Sequence, residues 1–383
     1  MLYKFLNSEG QTCFLHSGQG GKSILANKPT SIHSGSNLDE FKKWSKKYKN
    51  CIQIGYLSYD LAYQLYNIKC TEKNDLKLPE IYFIAYKAWQ EVDKKENTSI
   101  SDRRRSDTIQ KNHSSNFRPE TNKSLYNKAY NKIKKYIEDG DIYQINLTHR
   151  LKAQTQIPAR ELFLRTIQHN PVDFLAYIEC PNFEILSASP ERFIKIENNK
   201  IETCPIKGTR PRGKTQQEDE KMKKELIENE KEAAELNMIT DLLRNDLGKV
   251  CKIGSIKVQG HRLLQQCPTV WHTYSKITGE LAIAPLDALI YMLPGGSITG
   301  CPKKRAIEII DELEPTTRSV YTGVIGYIKP DQTLDFNIAI RTIIKKKENL
   351  YLQVGGGIVL DSTGKAEFQE TLDKAASFMK ILD

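Results

Sequence analysis

No stretch of this chain approaches the ~20 consecutive apolar residues that span a bilayer. The opening residues, Met1 to Glu9, lack the long apolar region and small-residue cleavage site of a secretory signal. The eight cysteines stand at 13, 51, 70, 180, 204, 251, 267 and 301; no two form Cys-x-x-Cys, and none lies at zinc-ligand spacing from a histidine. These absences argue against a membrane-spanning chain, a disulfide-stapled scaffold and a zinc module, and they predict a cytoplasmic protein with reduced thiols. No repeat of 20–50 residues is present, which removes solenoids and propellers. Interleaved aromatics are missing from the basic runs at 42–47 and 103–105, and most of the net charge of +10 is dispersed lysine. No nucleic-acid partner is therefore expected, although the charge suits a dianionic small substrate.

What is present is enough chain for a large core. The 383 residues suggest two domains or one elaborate one. Residues 1–92 read as short strands and turns, and residues 93–122 as a polar linker or surface loop without apolar periodicity. From 123 to 138, Leu125, Ala129, Ile133 and Ile137 recur every four residues, predicting a helix that stops at Asp139-Gly140-Asp141. Residues 221–247 predict the longest helix and 306–313 another; 323–328 and 350–354 predict strands.

Several groups carry chemistry. Lys207 sits between Ile206 and Gly208 in Pro205-Ile206-Lys207-Gly208-Thr209, after a strand-like run, where the glycine lets a ligand approach the backbone. Glu235 begins an apolar stripe on the long helix, either at its edge or facing a buried partner. Glu367, Glu370 and Lys374 are spaced to share one helical face. Glu370 and Lys374 could form a plain surface pair; two carboxylates with Glu235 would instead suit Mg²⁺. The glycine-rich 293–302 stretch leads into a predicted helix whose free N–H groups would accept a carboxylate. Gly355-Gly356-Gly357 is expected to interrupt a strand, and Arg341 is expected inside an apolar strand, where it would meet an anion. Glu191, in Ser189-Pro190-Glu191-Arg192, would serve as a general acid only with its pKa raised by burial.

In order along the chain, Asp141 to Leu147, Ser189 to Arg192, Pro205 to Thr209, Asp241 to Gly248, Gly296 to Lys303, Gly355 to Gly357 and Glu367 to Lys374 resemble the chorismate-utilising enzymes. That family includes the anthranilate, aminodeoxychorismate, isochorismate and salicylate synthases. The resemblance covers residues 123–383 as a catalytic domain, with 1–92 similar to the N-terminal region of anthranilate synthase component I. It implies an α/β (α+β) fold of antiparallel sheets packed as a two-subdomain sandwich with helices outside.

The resemblance also implies roles. Mg²⁺ would be held by Glu235, Glu367 and Glu370 and would bridge to the ring carboxylate of chorismate. Gly208, Thr299 and Gly300 would lie near that carboxylate. Arg341, Tyr327 and Gly356 would hold the enolpyruvyl carboxylate, with Thr209, His272 and Gly355 also lining the substrate and Lys374 near the metal end. Isochorismate and salicylate synthases carry a water-activating lysine where Gln144 stands here. Anthranilate synthases carry alanine where Lys207 stands. The lysine variant is that of aminodeoxychorismate synthases, in which it attacks the ring while Glu191 would protonate the departing hydroxyl. The implied activity is amination of chorismate to 4-amino-4-deoxychorismate for folate biosynthesis. The alternatives are anthranilate formation or a silent chorismate-binding subunit. No cysteine lies in a Gly-x-Cys-x-Gly context, so ammonia would come from a glutamine amidotransferase subunit. A chain ending at Asp383 is expected to carry no fused lyase, and without a Leu-Leu-Glu-Ser motif tryptophan inhibition is not expected.

Overall fold

Ile52, Ile54 and Tyr56 share one face of the strand Ile52–Leu57, because side chains alternate along a strand. With Tyr82 and Ile84 of the adjoining strand Ile81–Tyr86 they meet Cys13, Ile24, Ile178 and Ile185 of a second sheet. This apolar layer is the centre of a sandwich. The computed structural model describes residues 1–18, 21–71, 73–93, 115–267 and 270–382.

Each sheet has ten strands, and every pairing between them is antiparallel. The first sheet has the strands Gln144–Gln154, Asn349–Ile358 and Thr342–Lys346 side by side near one edge. The second places Ile206–Pro211 against Val270–Glu280, and Arg192–Glu197 against Leu334–Ile338. Strands from residues 1–92 enter both sheets: Cys13–His16 and Lys22–Ala26 join the first, Ser31–Gly35 and Ile52–Leu57 the second. Of the expected 93–122 linker, residues 94–114 lie outside the described residues. Beyond them, Arg118–Pro119 pairs with the Gln144–Gln154 strand, and Glu120 forms an ion pair with Arg150.

Helices cover the outer faces. Phe163 and Phe378 pack on the first sheet, and Leu243 and Leu247 lie on a helix that packs on the second. The helix Lys123–Glu138 starts where the Asn122 side chain accepts the Leu125 N–H, and Gly140 at φ +81° follows its end. Its buried side carries Tyr126, Tyr130 and Ile133, whereas Leu125 is exposed. The aromatic rings, one position along from the four-residue aliphatic series, are what the core takes up.

Three other expectations are corrected. The long helix is two, Gln216–Glu228 and Glu230–Gly248, because Asn229 adopts an extended backbone and its side chain caps the second. Gly355 to Gly357 do not interrupt their strand; they pair in unbroken register with Thr148, Leu147 and Asn146. Arg341 lies in the turn between Leu334–Ile338 and Thr342–Lys346, with φ +51°. A side chain rarely tolerates that left-handed backbone, and it tends to occur where a site demands a particular direction.

Candidate active site

Glu191 falls in the short connection between the strands Glu184–Ser189 and Arg192–Glu197. Its carbonyl accepts the Ile338 N–H at 3.0 Å, which ties it to the neighbouring strand. The side chain is buried, and Ser297 Oγ donates to its Oε1 at 3.1 Å. Burial pushes the carboxyl up to about 7; the positive charge of Lys207, the Ser297 bond and the charge of Lys374 oppose the rise. A carboxyl in that range can hold a proton near neutrality and release it to a leaving group.

Lys207, on the strand Ile206–Pro211, brings a positive charge to bear on this carboxyl. The pairing with Val270–Glu280 is irregular between Lys207 and Thr209, where Gly208 takes φ +80°. A side chain at Gly208 would be strained, and its Cβ would stand 3.0 Å from Glu232 Oε2. The Thr273 hydroxyl donates to the Lys207 carbonyl and fixes the distorted segment. Thr209 Oγ1 and His272 Nδ1 are hydrogen-bonded at 2.8 Å. Burial pulls the His272 pKa down, a bond to the Gly208 backbone opposes this, and the nearby charge of Arg341 lowers it further. A neutral imidazole results. Arg341, Lys374, Thr209 and His272 line one cavity of about 240 Å³. Burial lowers the pKa of the Arg341 guanidinium. A guanidinium so placed is a receptor for an anion.

The loop at 296–300 closes another side. Its Gly296–Ile298 turn carries Ser297 and is followed by the buried Thr299, whose hydroxyl donates to the Gly295 carbonyl at 2.8 Å. The Thr299 carbonyl accepts the Asn146 N–H at 2.9 Å. Gly300, at φ +150°, lies so close to the Gln144–Gln154 strand that a Cβ would fall 2.5 Å from the Gln144 carbonyl oxygen. The helix Lys303–Leu313 does start where the sequence indicates, and Lys303 Nζ forms a buried ion pair with Asp246 at 2.6 Å.

The glycine strand makes room for the acidic end. On the helix Gly364–Met379, Lys374 Nζ donates to the Gly355 carbonyl at 2.9 Å and pairs with Glu370 at 2.8 Å. A Cβ at Gly356 would stand 3.2 Å from Glu367 Oε2. Glu367 is buried; burial raises its pKa, a Ser362 bond lowers it, and the Glu370 charge raises it again. Two acidic groups so close, one of them desolvated, are oxygen donors of the kind a hard divalent cation takes. Glu235 is partly buried on the Glu230–Gly248 helix. Among the described residues no three His, Cys, Asp or Glu side chains form a metal-holding group, so Glu235 is not gathered with the other two in this arrangement.

Tyr327 lines a larger adjoining cavity of about 710 Å³ with His16, Arg192 and Lys276, and that cavity shares Asp173, Pro190 and Gln265 with the one lined by Arg341. Burial raises its phenol pKa, and the charges of Asp335 and Glu91 add to that. Two residues escaped the sequence reading. Ser297 lay within a quoted motif, but nothing in sequence tied it to Glu191. Glu232 pairs with Arg210 through Oε1 at 2.9 Å, while its buried Oε2 has no partner. Its spacing from Glu235 repeats that of Glu367 from Glu370, a signal that was available in sequence.

A family model described as chorismate binding enzyme matches residues 6–380. Aminodeoxychorismate synthase component 1 of Bacillus subtilis (strain 168) is 37% identical over 359 residues, covering 86% of this chain and 76% of that protein. An anthranilate synthase component 1 of Haloarcula marismortui is 35% identical over 373 residues, covering 87% and 76%. Anthranilate synthase component I from Streptococcus pneumoniae TIGR4 has the same fold at TM-score 0.82 and 26% identity, covering 98% of this chain and 96% of that one. On the family match over residues 6–380 and these relatives, this chain belongs to the chorismate-binding enzyme family.

Proposed function

We propose that the chain is component I of an aminodeoxychorismate synthase, converting chorismate and ammonia to 4-amino-4-deoxychorismate and water for folate biosynthesis. The observation that carries this reading is a buried Glu191, its pKa raised to about 7, with the charge of Lys207 acting on it. Lys207, as the free amine, attacks ring carbon 2; the ring double bonds shift and the 4-hydroxyl departs as water with the proton of Glu191. The Glu191 carboxylate then takes the extra proton from the new secondary ammonium. Ammonia adds at carbon 4, the carbon–nitrogen bond to Lys207 breaks, and Glu191 returns the proton to the leaving amine.

Arg341 would receive the enolpyruvyl carboxylate, since its buried guanidinium lines the cavity and a carboxylate there would favour its charge. Neutral His272 and Thr209 shape the wall next to it. Glu367 and Glu370, with Glu235 from the facing helix, would hold Mg²⁺. When bound, the ion would neutralise the ring carboxylate and the acidic side chains around it. The ammonia source is a separate glutamine amidotransferase subunit, in keeping with the "component 1" names of the relatives.

The test incubates the purified chain with chorismate, Mg²⁺ and an ammonium salt and resolves products by mass spectrometry. The expected product is one mass unit below chorismate and yields 4-aminobenzoate when aminodeoxychorismate lyase is added. Lys207→Ala should lower its formation by ~10³-fold or more. Anthranilate with released pyruvate would overturn the reading and leave Lys207 a binding cation.

A further inference from the structure

We infer that Arg318 is a positioning residue for the reaction: its guanidinium clamps the Gly296–Ile298 turn onto the Gln144–Gln154 strand and so holds Ser297 against Glu191. The inference rests on the reading above, in which Glu191 delivers the proton.

Arg318 is wholly buried, and its donors are divided between three partners. Nε and Nη2 meet the two carboxylate oxygens of Glu314 at 2.9 and 2.7 Å. Nη1 donates to the Ile298 carbonyl at 3.0 Å, and Nη2 also donates to the Asn146 carbonyl at 2.6 Å. The Tyr59 ring lies under the guanidinium, 4.6 Å from its centre. An ion pair that only stabilised the fold would need no more than the Glu314 bonds. Here the remaining donors go to two backbone carbonyls, one on the turn and one on the neighbouring strand.

Those two carbonyls matter because of their neighbours. Ile298 lies between Ser297, which donates to Glu191, and Thr299, whose carbonyl accepts the Asn146 N–H at 2.9 Å. Asn146 is thus joined to the turn twice, once directly and once through Arg318. Glu314 closes the frame by accepting the Thr148 N–H of the same strand at 2.9 Å. Only a planar fork with several fixed donors can span these positions; the single ammonium of a lysine cannot. The groups that face Glu191 are Lys207 from the Ile206–Pro211 strand, Ser297 from the turn and Lys374 from the C-terminal helix.

The test is Arg318→Lys, which keeps the charge and removes the fork. The expected result is a fall in kcat of ~10²-fold, the usual consequence of a misplacement of about 1 Å, with KM for chorismate changed far less. The Ser297 bond favours the ionised form of Glu191, so losing it moves the alkaline limb of the kcat–pH profile to higher pH. Ser297→Ala should give the same displacement, and the double variant no more than either alone. A lower Tm with kcat and pH profile unchanged would overturn the inference. If Arg318→Lys does not fold, Glu314→Gln is read in the same way. If the wild-type chain yields no aminated product, the Glu191 carboxyl is titrated directly by infrared difference spectroscopy. An upward displacement in Arg318→Lys there supports the clamp even though the proposed activity has failed; none overturns it.

Discussion

The two ends of the cleft are built differently. Around Glu191 every polar partner is supplied by the chain: Ser297 bonds to the carboxyl, and two lysines face it. Around Glu367 two carboxylates stand together: burial and the Glu370 charge raise the Glu367 pKa, a Ser362 bond and the charges of Lys231 and Lys374 oppose the rise, and Glu235 stays apart. Arg341 is a buried cation whose charge burial disfavours. The proton-handling end is preorganised, where reorganisation during reaction would raise the barrier. In the proposed reaction, Mg²⁺ and the substrate carboxylates would complete the acidic end and the Arg341 end.

Breaking the finished end should have the largest effect. Glu191→Gln keeps the shape and the Ser297 contact but cannot donate a proton, so kcat for amination should fall 10²–10⁴-fold. In the wild type the acid is competent below about pH 7, and kcat should decline above it. A variant that aminates at the wild-type rate would show that the acid lies elsewhere.

The same substitution should have the opposite effect on stability. The folded pKa of Glu191 is raised from 4.5 to about 7, so its contribution is fully present below 4.5 and is lost as pH rises through 7. Gln has no such dependence. Glu191→Gln should therefore unfold at a higher temperature than wild type at pH 8, by an amount on the order of 3 kcal/mol at most. Melts at pH 5 and pH 8 would check it; a difference that did not grow with pH would contradict the buried state of the carboxyl.

At the unfinished end the sign is again reversed. Removing one like charge, as in Glu367→Gln, should cost the metal-free chain little or stabilise it, while weakening Mg²⁺ binding by ~10–100-fold. Calorimetric titration with Mg²⁺ in the presence of chorismate reads the affinity directly. Unchanged affinity would remove Glu367 from the metal site.

How much of this was legible in sequence follows from the same contrast. Motifs that lie within one element, such as Glu367, Glu370 and Lys374 on their helix, were placed correctly because helical spacing is local. The sandwich of antiparallel sheets came from the family resemblance, since strand order joins segments as distant as Cys13–His16 and Phe174–Glu179. The Ser297–Glu191 bond spans 106 positions and leaves no periodic trace. The break at Asn229 has no glycine or proline to mark it, and only the backbone of that one residue departs from the helix.

Gly356→Ala is the smallest change and separates packing from site geometry. Gly356 has no left-handed backbone requirement, so alanine adds only its methyl group. That methyl would sit 3.2 Å from Glu367 Oε2 and 4.0 Å from Lys374 Nζ, both at the ends of flexible side chains. Because such ends can move by a few tenths of an ångström, the stability cost should stay below ~1 kcal/mol. The displaced carboxylate, however, is the one that would bind Mg²⁺. The expected outcome is a several-fold rise in the Mg²⁺ concentration needed for half-maximal amination, with Tm and the kcat–pH profile almost unchanged. A large fall in Tm would mean that the glycine strand serves packing. A displaced pH profile would mean that the two ends of the cleft are coupled rather than separately built.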